Sequence, residues 1–204
     1  MKLSKSTVQR LSKYRRLLKD YSYNKDAYIF SHDLARVLNL NPVQVRRDLM
    51  LIGSSGNNRK GYNINELLNY IKKAIDFEHG KNIAIIGYGK IGKAILKYIK
   101  DIESKVIIVA AFDIDPLKVN TNENDIYCYD IPKLYDIIRE KNIQIALLTV
   151  PSDFAVSIAD ILVESGIKGI LNFTGVHLDL PDNIYVKEFD IISFIEEIGY
   201  FINK

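Results

Sequence analysis

The spacing of apolar residues changes near residue 80, and this change divides the chain into two parts. In the first part apolar side chains recur every three or four positions, which predicts helices over 6–21, 31–38, 42–52 and 63–77. In the second part short apolar runs alternate with helical patterns, and strands are predicted at 83–86, 106–112, 126–129, 145–150 and 169–173. Apolar strands separated by helices indicate a parallel sheet that is covered on both faces.

The second and third predicted helices form a helix-turn-helix pattern. Ser31 is a candidate cap for the second helix. The third helix opens at Asn41, a favourable cap, followed by Pro42, whose missing N–H costs nothing in a first turn. Gly53 lies just beyond its predicted end, where glycine commonly terminates helices. The third helix is therefore a candidate recognition helix for the major groove of DNA.

Polar and basic residues of the third helix and of the segment after it are the candidate DNA contacts. An amide and two guanidinium groups occupy the first turns of the helix, where base edges and phosphates come within reach. The segment SSGNNRKGYNI at 54–64 is predicted to be a basic-tipped wing whose returning strand includes Tyr62 and Ile64. The candidate DNA-binding residues are Gln44, Arg46, Arg47, Ser54, Gly56, Arg59, Lys60 and Tyr62.

The net charge of +3 is unevenly distributed along the chain. Residues 1–80 carry 15 Lys and Arg against 7 Asp and Glu, a difference of +8, whereas residues 81–204 carry 13 against 18, a difference of −5. A basic first unit is a candidate partner for nucleic acid. On charge alone, a solvated basic surface without a partner is the alternative. The helix-turn-helix and the wing favour DNA binding over that alternative.

The stretch IAIIGYGKIGKAILKYI at 83–99 combines a strand, a glycine-rich turn and a helix. Its turn fits G-x-G-x-x-G, in which the glycines permit a tight turn, close approach to a pyrophosphate and packing of the helix on the strand. Asp113 ends the next strand, where a carboxylate accepts hydrogen bonds from ribose hydroxyls, and Asp115 is a weaker alternative. No Arg or Ser follows Asp113, which favours NAD(H) over NADP(H). The candidate cofactor residues here are Gly87, Tyr88, Gly89, Lys90, Ile91, Gly92 and Asp113.

The sequence offers little catalytic chemistry beside this turn. His177 follows a strand end, where a catalytic role is possible, but a surface histidine is the favoured interpretation. Cys128, the single cysteine, cannot form an internal disulfide and shows no sign of thiolate activation. We identify no metal-ligand cluster and no apolar run of about 18 residues, so we expect neither a metal nor a membrane span. With a single cysteine, we expect a cytoplasmic setting.

The segment FDIISFIEEIGYFINK concentrates apolar side chains on one short terminal helix. This surface is too broad for a free tail and must be buried on its own domain or on another subunit. A homodimer would also give a helix-turn-helix protein its two half-sites.

Taken together, these segments resemble the Rex family of redox-sensing transcriptional repressors over nearly the whole chain. The resemblance is carried by RLSKYRRLL, NPVQVRRDLMLIGSSG, KGYNI, GYGKIGKAILKY, AAFDIDP, IALLTVP, GIKGILNF and the terminal aromatic helix. It implies an α/β fold with a winged helix-turn-helix domain at 1–78, a Rossmann-type doubly wound parallel sheet at 79–190 and a C-terminal helix at 191–204 that is exchanged in a dimer. It also implies repression of fermentative and anaerobic genes from a palindromic operator, release by NADH, and competition from NAD+.

The resemblance also implies roles for residues that spacing alone does not assign. Those on the nicotinamide side are Thr149, Val150, Pro151, Asn172 and Phe173. Those that couple the two domains across the dimer are Arg16, Tyr98 and Asp190, of which Tyr98 is also assigned to the cofactor site. Gly175 departs from the family, which commonly has proline there. An NAD(H)-dependent oxidoreductase is the alternative function, and coenzyme A is an alternative ligand.

Overall fold

The computed structural model describes residues 3–21, 27–57, 59–76, 81–100 and 106–202. The chain divides into two compact units, Met1–Glu78 and His79–Lys204, and each is described by itself. The end of the predicted fourth helix at residue 77 and the predicted domain boundary between residues 78 and 79 lie outside the described residues.

The first unit packs four helices around one apolar core. Its elements are α1 Lys5–Tyr21, β1 Tyr28–Ile29, α2 Ser31–Val37, α3 Pro42–Leu51, β2 Tyr62–Asn63 and α4 Ile64–Ile75. The fully buried side chains come from the periodic apolar positions, among them Leu11, Leu18, Leu34, Val45, Leu49 and Ile71. Burial of such side chains contributes roughly 1.5–3 kcal/mol each, so the predicted helical pattern also supplies the stability of the unit.

The local chemistry of α3 sets both of its ends. The Asn41 side chain accepts a hydrogen bond of 2.8 Å from the backbone N–H of Val43, which satisfies a donor of the first turn. After Ile52 the backbone N–H groups of Gly53 and Ser54 donate to the carbonyls of Met50 and Leu49, both at 3.0 Å. This pair of bonds is a Schellman motif, and it turns the chain from the helix into the wing.

Two local predictions for the first unit are wrong. Ser31 does not cap α2: Phe30 is the cap residue, without a side-chain hydrogen bond, and Ser31 lies buried as the first helical residue. Ile64 is the first residue of α4 and not part of a strand, because the Asn63 side chain caps that helix by accepting from the N–H of Glu66 at 3.1 Å. The returning strand β2 pairs with β1, with Ile29 opposite Tyr62. Within the wing, Asn57 and Gly61 form an isolated antiparallel bridge.

The second unit is a seven-stranded sheet between helices. The strands are β3 Lys81–Ile86, β4 Val106–Asp113, β5 Asn122–Glu123, β6 Ile126–Asp130, β7 Ile143–Leu148, β8 Gly169–Asn172 and β9 Tyr185–Glu188. The helices are α5 Lys90–Lys100, α6 Leu134–Glu140, α7 Ala155–Glu164 and α8 Ile191–Ile202. Buried apolar clusters lie on both faces of the sheet, as expected for a parallel sheet between helices.

The strand order β5-β6-β4-β3-β7-β8-β9 is that of a Rossmann fold with one added strand. All neighbouring strands are parallel except β5 and β6, and without β5 the order reads 3-2-1-4-5-6. The direction of the order reverses between β3 and β7. Open sheets of this kind bind ligands in the crevice beyond the carboxyl ends of the two strands at that reversal.

The terminal helix α8 has no buried residue within this chain. Its exposed large apolar side chains include Ile191, Ile192, Phe194, Ile195, Ile198, Phe201 and Ile202. The Asp190 carboxylate caps the helix by accepting from the N–H of Ile192 at 2.9 Å. Among the described residues, no helix is both long and apolar enough to cross a membrane.

Candidate functional site

The glycine turn and the end of β7 are joined at the reversal of the strand order. Gly87 follows β3 with a φ of +93°, and its N–H donates to the carbonyl of Phe112 at 2.8 Å. The Thr149 hydroxyl donates to the Gly87 carbonyl at 2.8 Å, and a Cβ at Gly87 would lie 2.8 Å from the Thr149 carbonyl. The turn and the start of the segment Thr149–Pro151 therefore lie side by side, at the place where an open sheet of this kind binds its ligand.

The other two glycines of the motif differ in what surrounds them. A Cβ at Gly92 would lie 2.5 Å from the Gly87 carbonyl oxygen and 2.8 Å from the Ile85 side chain, so glycine is needed for α5 to approach β3. A Cβ at Gly89 would meet no atom of the chain within 4 Å. The open side of the turn, with the first N–H groups of α5 behind it, fits a pyrophosphate.

The remaining candidate residues of the turn and of α5 differ in burial. The Tyr88 ring is buried, and its N–H donates to the Phe112 carbonyl at 3.2 Å. Lys90 and Ile91 are exposed at the start of α5. Tyr98 is exposed further along the same helix.

Asp113 lies buried at the end of β4. One of its oxygens accepts from the N–H of Asp115 at 2.9 Å, and the other accepts from the Lys118 ammonium group at 3.0 Å. Burial acts to lower the pKa of Lys118, but hydrogen bonds to Asp113 and Asp115 outweigh it and raise the pKa, so Lys118 stays charged. The sequence prediction missed Lys118, because a turn and not a periodic pattern brings it to Asp113.

The end of β8 carries a loop that Asn172 holds in place. The buried Asn172 amide donates to the carbonyl of Val176 at 2.7 Å and accepts from the N–H and hydroxyl of Thr174 at 3.0 and 2.7 Å. The Phe173 ring lies 5.0 Å from the Phe189 ring. Gly175 has a φ of +73°, which proline cannot adopt, so the proline that the resemblance leads us to expect would not fit this loop.

The predicted DNA-binding residues divide into exposed cations and residues that shape the surface. Arg46 and Arg47 are exposed on α3, and Arg59 and Lys60 are exposed on the wing. Gln44 is partly buried and donates to Asp48 at 2.9 Å. The base of the wing consists of the buried Ser54 and of Gly56 packed against Tyr62, where a Cβ would lie 2.7 Å from the ring.

The wing tip is arranged by Asn57, which the sequence analysis did not assign. Its side-chain oxygen accepts from the N–H groups of Arg59 at 2.8 Å and Lys60 at 3.2 Å. The Asn57 side chain therefore holds the backbone of both cations. A basic tip of this kind suits phosphate contacts.

The remaining candidates are distributed over both units. Arg16 is exposed on α1 of the first unit, whereas Tyr98 and Asp190 belong to the second unit. The exposed His177 ring nitrogen lies 2.9 Å from a Glu188 oxygen. Cys128 is buried, and burial raises the pKa of its thiol to about 11, which disfavours the reactive thiolate. Within the described ranges no group of three or more His, Cys, Asp or Glu could hold a metal ion.

These units define a class of protein, a winged-helix DNA-binding domain joined to a dinucleotide-binding Rossmann domain. A family model described as "CoA binding domain" matches residues 78–176, and one described as "Putative DNA-binding protein N-terminus" matches residues 2–49. The redox-sensing transcriptional repressor Rex of Listeria welshimeri is 33% identical over 203 residues, which cover 100% of this chain and 94% of that relative.

Solved structures of RSP, a Rex-family repressor, agree with this assignment at 30% identity. Its complex with β-NAD+ and operator DNA matches with a TM-score of 0.90 and covers 100% of this chain and 94% of that one. Its complex with β-NADH matches with a TM-score of 0.88 and covers 100% of this chain and 95% of that one. The chain belongs to the Rex family of redox-sensing transcriptional repressors. The predicted family and the predicted winged-helix and Rossmann fold are confirmed, and exchange of the terminal helix stays a prediction.

Proposed function

We propose that this protein represses transcription by binding a palindromic operator as a homodimer, and that NADH releases it from the DNA. The observation that carries the proposal is the presence, in one chain, of an exposed basic recognition helix and of a Rossmann crevice built on GYGKIG. RSP supports it, since that relative has been crystallised with β-NAD+ and operator DNA and with β-NADH.

On the DNA side, the exposed cations of α3 and the wing make the contacts. Arg46 and Arg47 project from a helix whose position is fixed by the buried Val45 and Leu49. Guanidinium groups pair well with guanine edges and with phosphates. The wing cations Arg59 and Lys60 bind the sugar-phosphate backbone beside the groove.

On the cofactor side, each part of the dinucleotide has a matching wall of the crevice. Residues 87–92 hold the pyrophosphate, and Asp113 accepts from the adenosine ribose. Thr149–Pro151 and the loop after Asn172 border the nicotinamide. The extra hydride makes the nicotinamide ring of NADH uncharged and non-planar, and a small apolar pocket would bind that form better than NAD+.

A ligand can change DNA affinity only if it binds one arrangement of the dimer better than another. A differential binding free energy of about 2.7 kcal/mol changes DNA affinity roughly a hundredfold. We place the two-state contact between Arg16 of one subunit and Asp190 of the other, with Tyr98 beside the cofactor and α8 exchanged between the subunits.

The proposal is tested by anisotropy of a labelled operator, obtained by selection from a randomised palindromic duplex, at one fixed salt concentration. We expect NADH to release the DNA at far lower concentration than NAD+ does. Coenzyme A is titrated in parallel, because the family model that matches residues 78–176 is described as a CoA binding domain. Release by coenzyme A alone, or equal release by NADH and NAD+, would overturn the redox assignment.

We also propose that the protein is not an enzyme, which agrees with the naming of its relatives as repressors. An oxidoreductase would need a proton donor near the nicotinamide, and His177 is the candidate. No oxidation of NADH above the buffer rate is expected with a panel of carbonyl substrates. Turnover that His177→Ala abolishes would instead support the enzyme.

Replacing Arg47 with alanine should weaken DNA binding and reduce its dependence on salt. Each lost phosphate contact lowers the slope of log affinity against log salt by about 0.9. Filter binding of the selected operator between about 50 and 200 mM salt measures this slope. Lys97→Ala, which removes a cation from α5 of the second unit, is the matched control and should leave the slope unchanged.

Replacing Lys118 with methionine should sharpen the preference for NADH over NADPH. Lys118 offsets part of the Asp113 charge. Without Lys118, that charge would repel the 2′-phosphate of NADPH more strongly. We expect NADPH affinity to fall about tenfold more than NADH affinity, equivalent to about 1.4 kcal/mol. Calorimetry with both cofactors measures the ratio, and Lys133→Met controls for net charge. Equal loss for both cofactors would contradict the role of Lys118 in selectivity.

A further inference from the structure

The recognition helix contains a carboxylate that is completely buried. The Asp48 side chain accepts from Arg10 at 2.6 Å through Nε and 2.8 Å through Nη2, from the Tyr14 hydroxyl at 2.8 Å and from the Gln44 amide at 2.9 Å. Burial acts to raise the pKa of Asp48, but these hydrogen bonds outweigh it and hold the pKa below its usual range. The carboxylate is thus charged and fully partnered.

This cluster, hereafter the Asp48 cluster, connects two helices that are distant in sequence. Arg10 and Tyr14 belong to α1, whereas Gln44 and Asp48 belong to α3. A well-packed apolar group is often at least as stabilising as a buried ion pair, so stability alone does not account for the cluster. The bidentate Arg10 contact instead fixes how the Arg10 and Asp48 side chains are oriented to each other, because both guanidinium donors must meet both carboxylate oxygens.

The cluster also constrains what Gln44 can do. A glutamine that reads adenine presents its amide oxygen and nitrogen together to the base edge. Here the Gln44 nitrogen is turned along the helix toward Asp48, one turn further on. Reading a base would require Gln44 to leave the Asp48 cluster, whereas the neighbouring Arg46 and Arg47 are exposed.

We propose that Gln44 and Asp48 are positioning residues that fix the rotation of the recognition helix against α1, while Arg46 and Arg47 contact the DNA. A rotation of about 30° moves an atom 5–6 Å from the helix axis by about 3 Å. This displacement equals the length of a hydrogen bond, so a loosened helix would lose specific contacts. The inference rests on the proposed function and narrows it, because it removes Gln44 from the base-reading residues.

The first experiment compares variants of Gln44 on the selected operator and on a panel of its single-base-pair substitutions. Gln44→Ala should lower affinity by a similar factor, about threefold to tenfold, for every duplex, with the preferred base unchanged at each position. Gln44→Glu should bind more weakly still, because a second carboxylate would face Asp48. Arg46→Ala is measured on the same panel for comparison.

A base-reading Gln44 gives a different result on both variants. Gln44→Ala would then lose discrimination at one base pair only, and Gln44→Glu would shift the preference there toward cytosine, whose amino group pairs with a carboxylate. Either result overturns the inference and leaves the proposed function standing. Failure of the wild-type protein to bind any selected operator would instead overturn the proposed function.

Asp48→Asn separates positioning from a purely structural role. We expect the ratio of operator affinity to random-duplex affinity to fall about tenfold at a temperature where the variant is folded, with NADH affinity unchanged. An unchanged ratio with a lower melting temperature would show a purely structural role and overturn the inference. If Asp48→Asn does not fold, Tyr14→Phe removes one donor and keeps the ring, and should lower the ratio about threefold.

Discussion

Replacing Gly89 with alanine should abolish the response to NADH and leave the fold and DNA binding intact. The added methyl group would meet no atom of the chain within 4 Å, and Gly89 does not have a positive φ. Alanine at such a position changes stability by less than about 1 kcal/mol. The same methyl group would project into the space that fits the pyrophosphate. We expect NADH affinity to fall at least about a hundredfold, a loss of about 2.7 kcal/mol.

Three measurements check this expectation: calorimetry with NADH, thermal unfolding, and operator binding with and without NADH. Gly92→Ala is the matched control, because its methyl group would lie 2.5 Å from the Gly87 carbonyl oxygen. That variant should lose NADH binding together with stability, whereas Gly89→Ala should lose NADH binding alone. If Gly89→Ala binds NADH as the wild-type protein does, the pyrophosphate does not lie at this turn.

The recognition helix could be predicted closely from the sequence because its signals are local. Asn41, Pro42 and Gly53 act on the backbone within a few residues, and the buried Val45 and Leu49 follow helical spacing. Asp48 could not be predicted to be buried, since hydropathy places a carboxylate in water. Its main partner, Arg10, lies 38 residues earlier and reaches it only in the folded unit.

The sheet shows the same division between local and distant causes. The central strand β3 lies between two parallel neighbours, so its apolar run identifies it. The edge strand β9 was not predicted, because three of its four residues are exposed and it pairs only with β8 in the described chain. Lys118 was missed for a similar reason, as a turn after β4 brings it to Asp113. The turn itself follows β3 as predicted, and Gly87 and Gly92 each have a separate steric cause, whereas a Cβ at Gly89 would meet no atom of the chain within 4 Å.

Replacing Ile198 with lysine should separate the proposed dimer and greatly weaken operator binding. Ile198 is exposed at the centre of the apolar side of α8, with Ile191, Ile195 and Ile202. Each such side chain contributes roughly 1.5–3 kcal/mol when it is fully buried, so this helix favours a second subunit as its cover. A lysine there would put a charge into that contact. A monomer engages one half-site at a time, and we expect operator affinity to fall at least about a hundredfold, or about 2.7 kcal/mol.

Light scattering after gel filtration measures the mass, and anisotropy measures binding to the full operator and to a half-site duplex. Glu196→Lys introduces the same side chain on the opposite side of α8 and should remain dimeric. Because the monomer keeps its recognition helix, Ile198→Lys should bind the half-site duplex as the wild-type protein does. If Ile198→Lys stays dimeric, α8 contributes little to the dimer contact. The predicted exchange of the terminal helix would then be wrong, while the NADH response, tested independently through Gly89, could still hold.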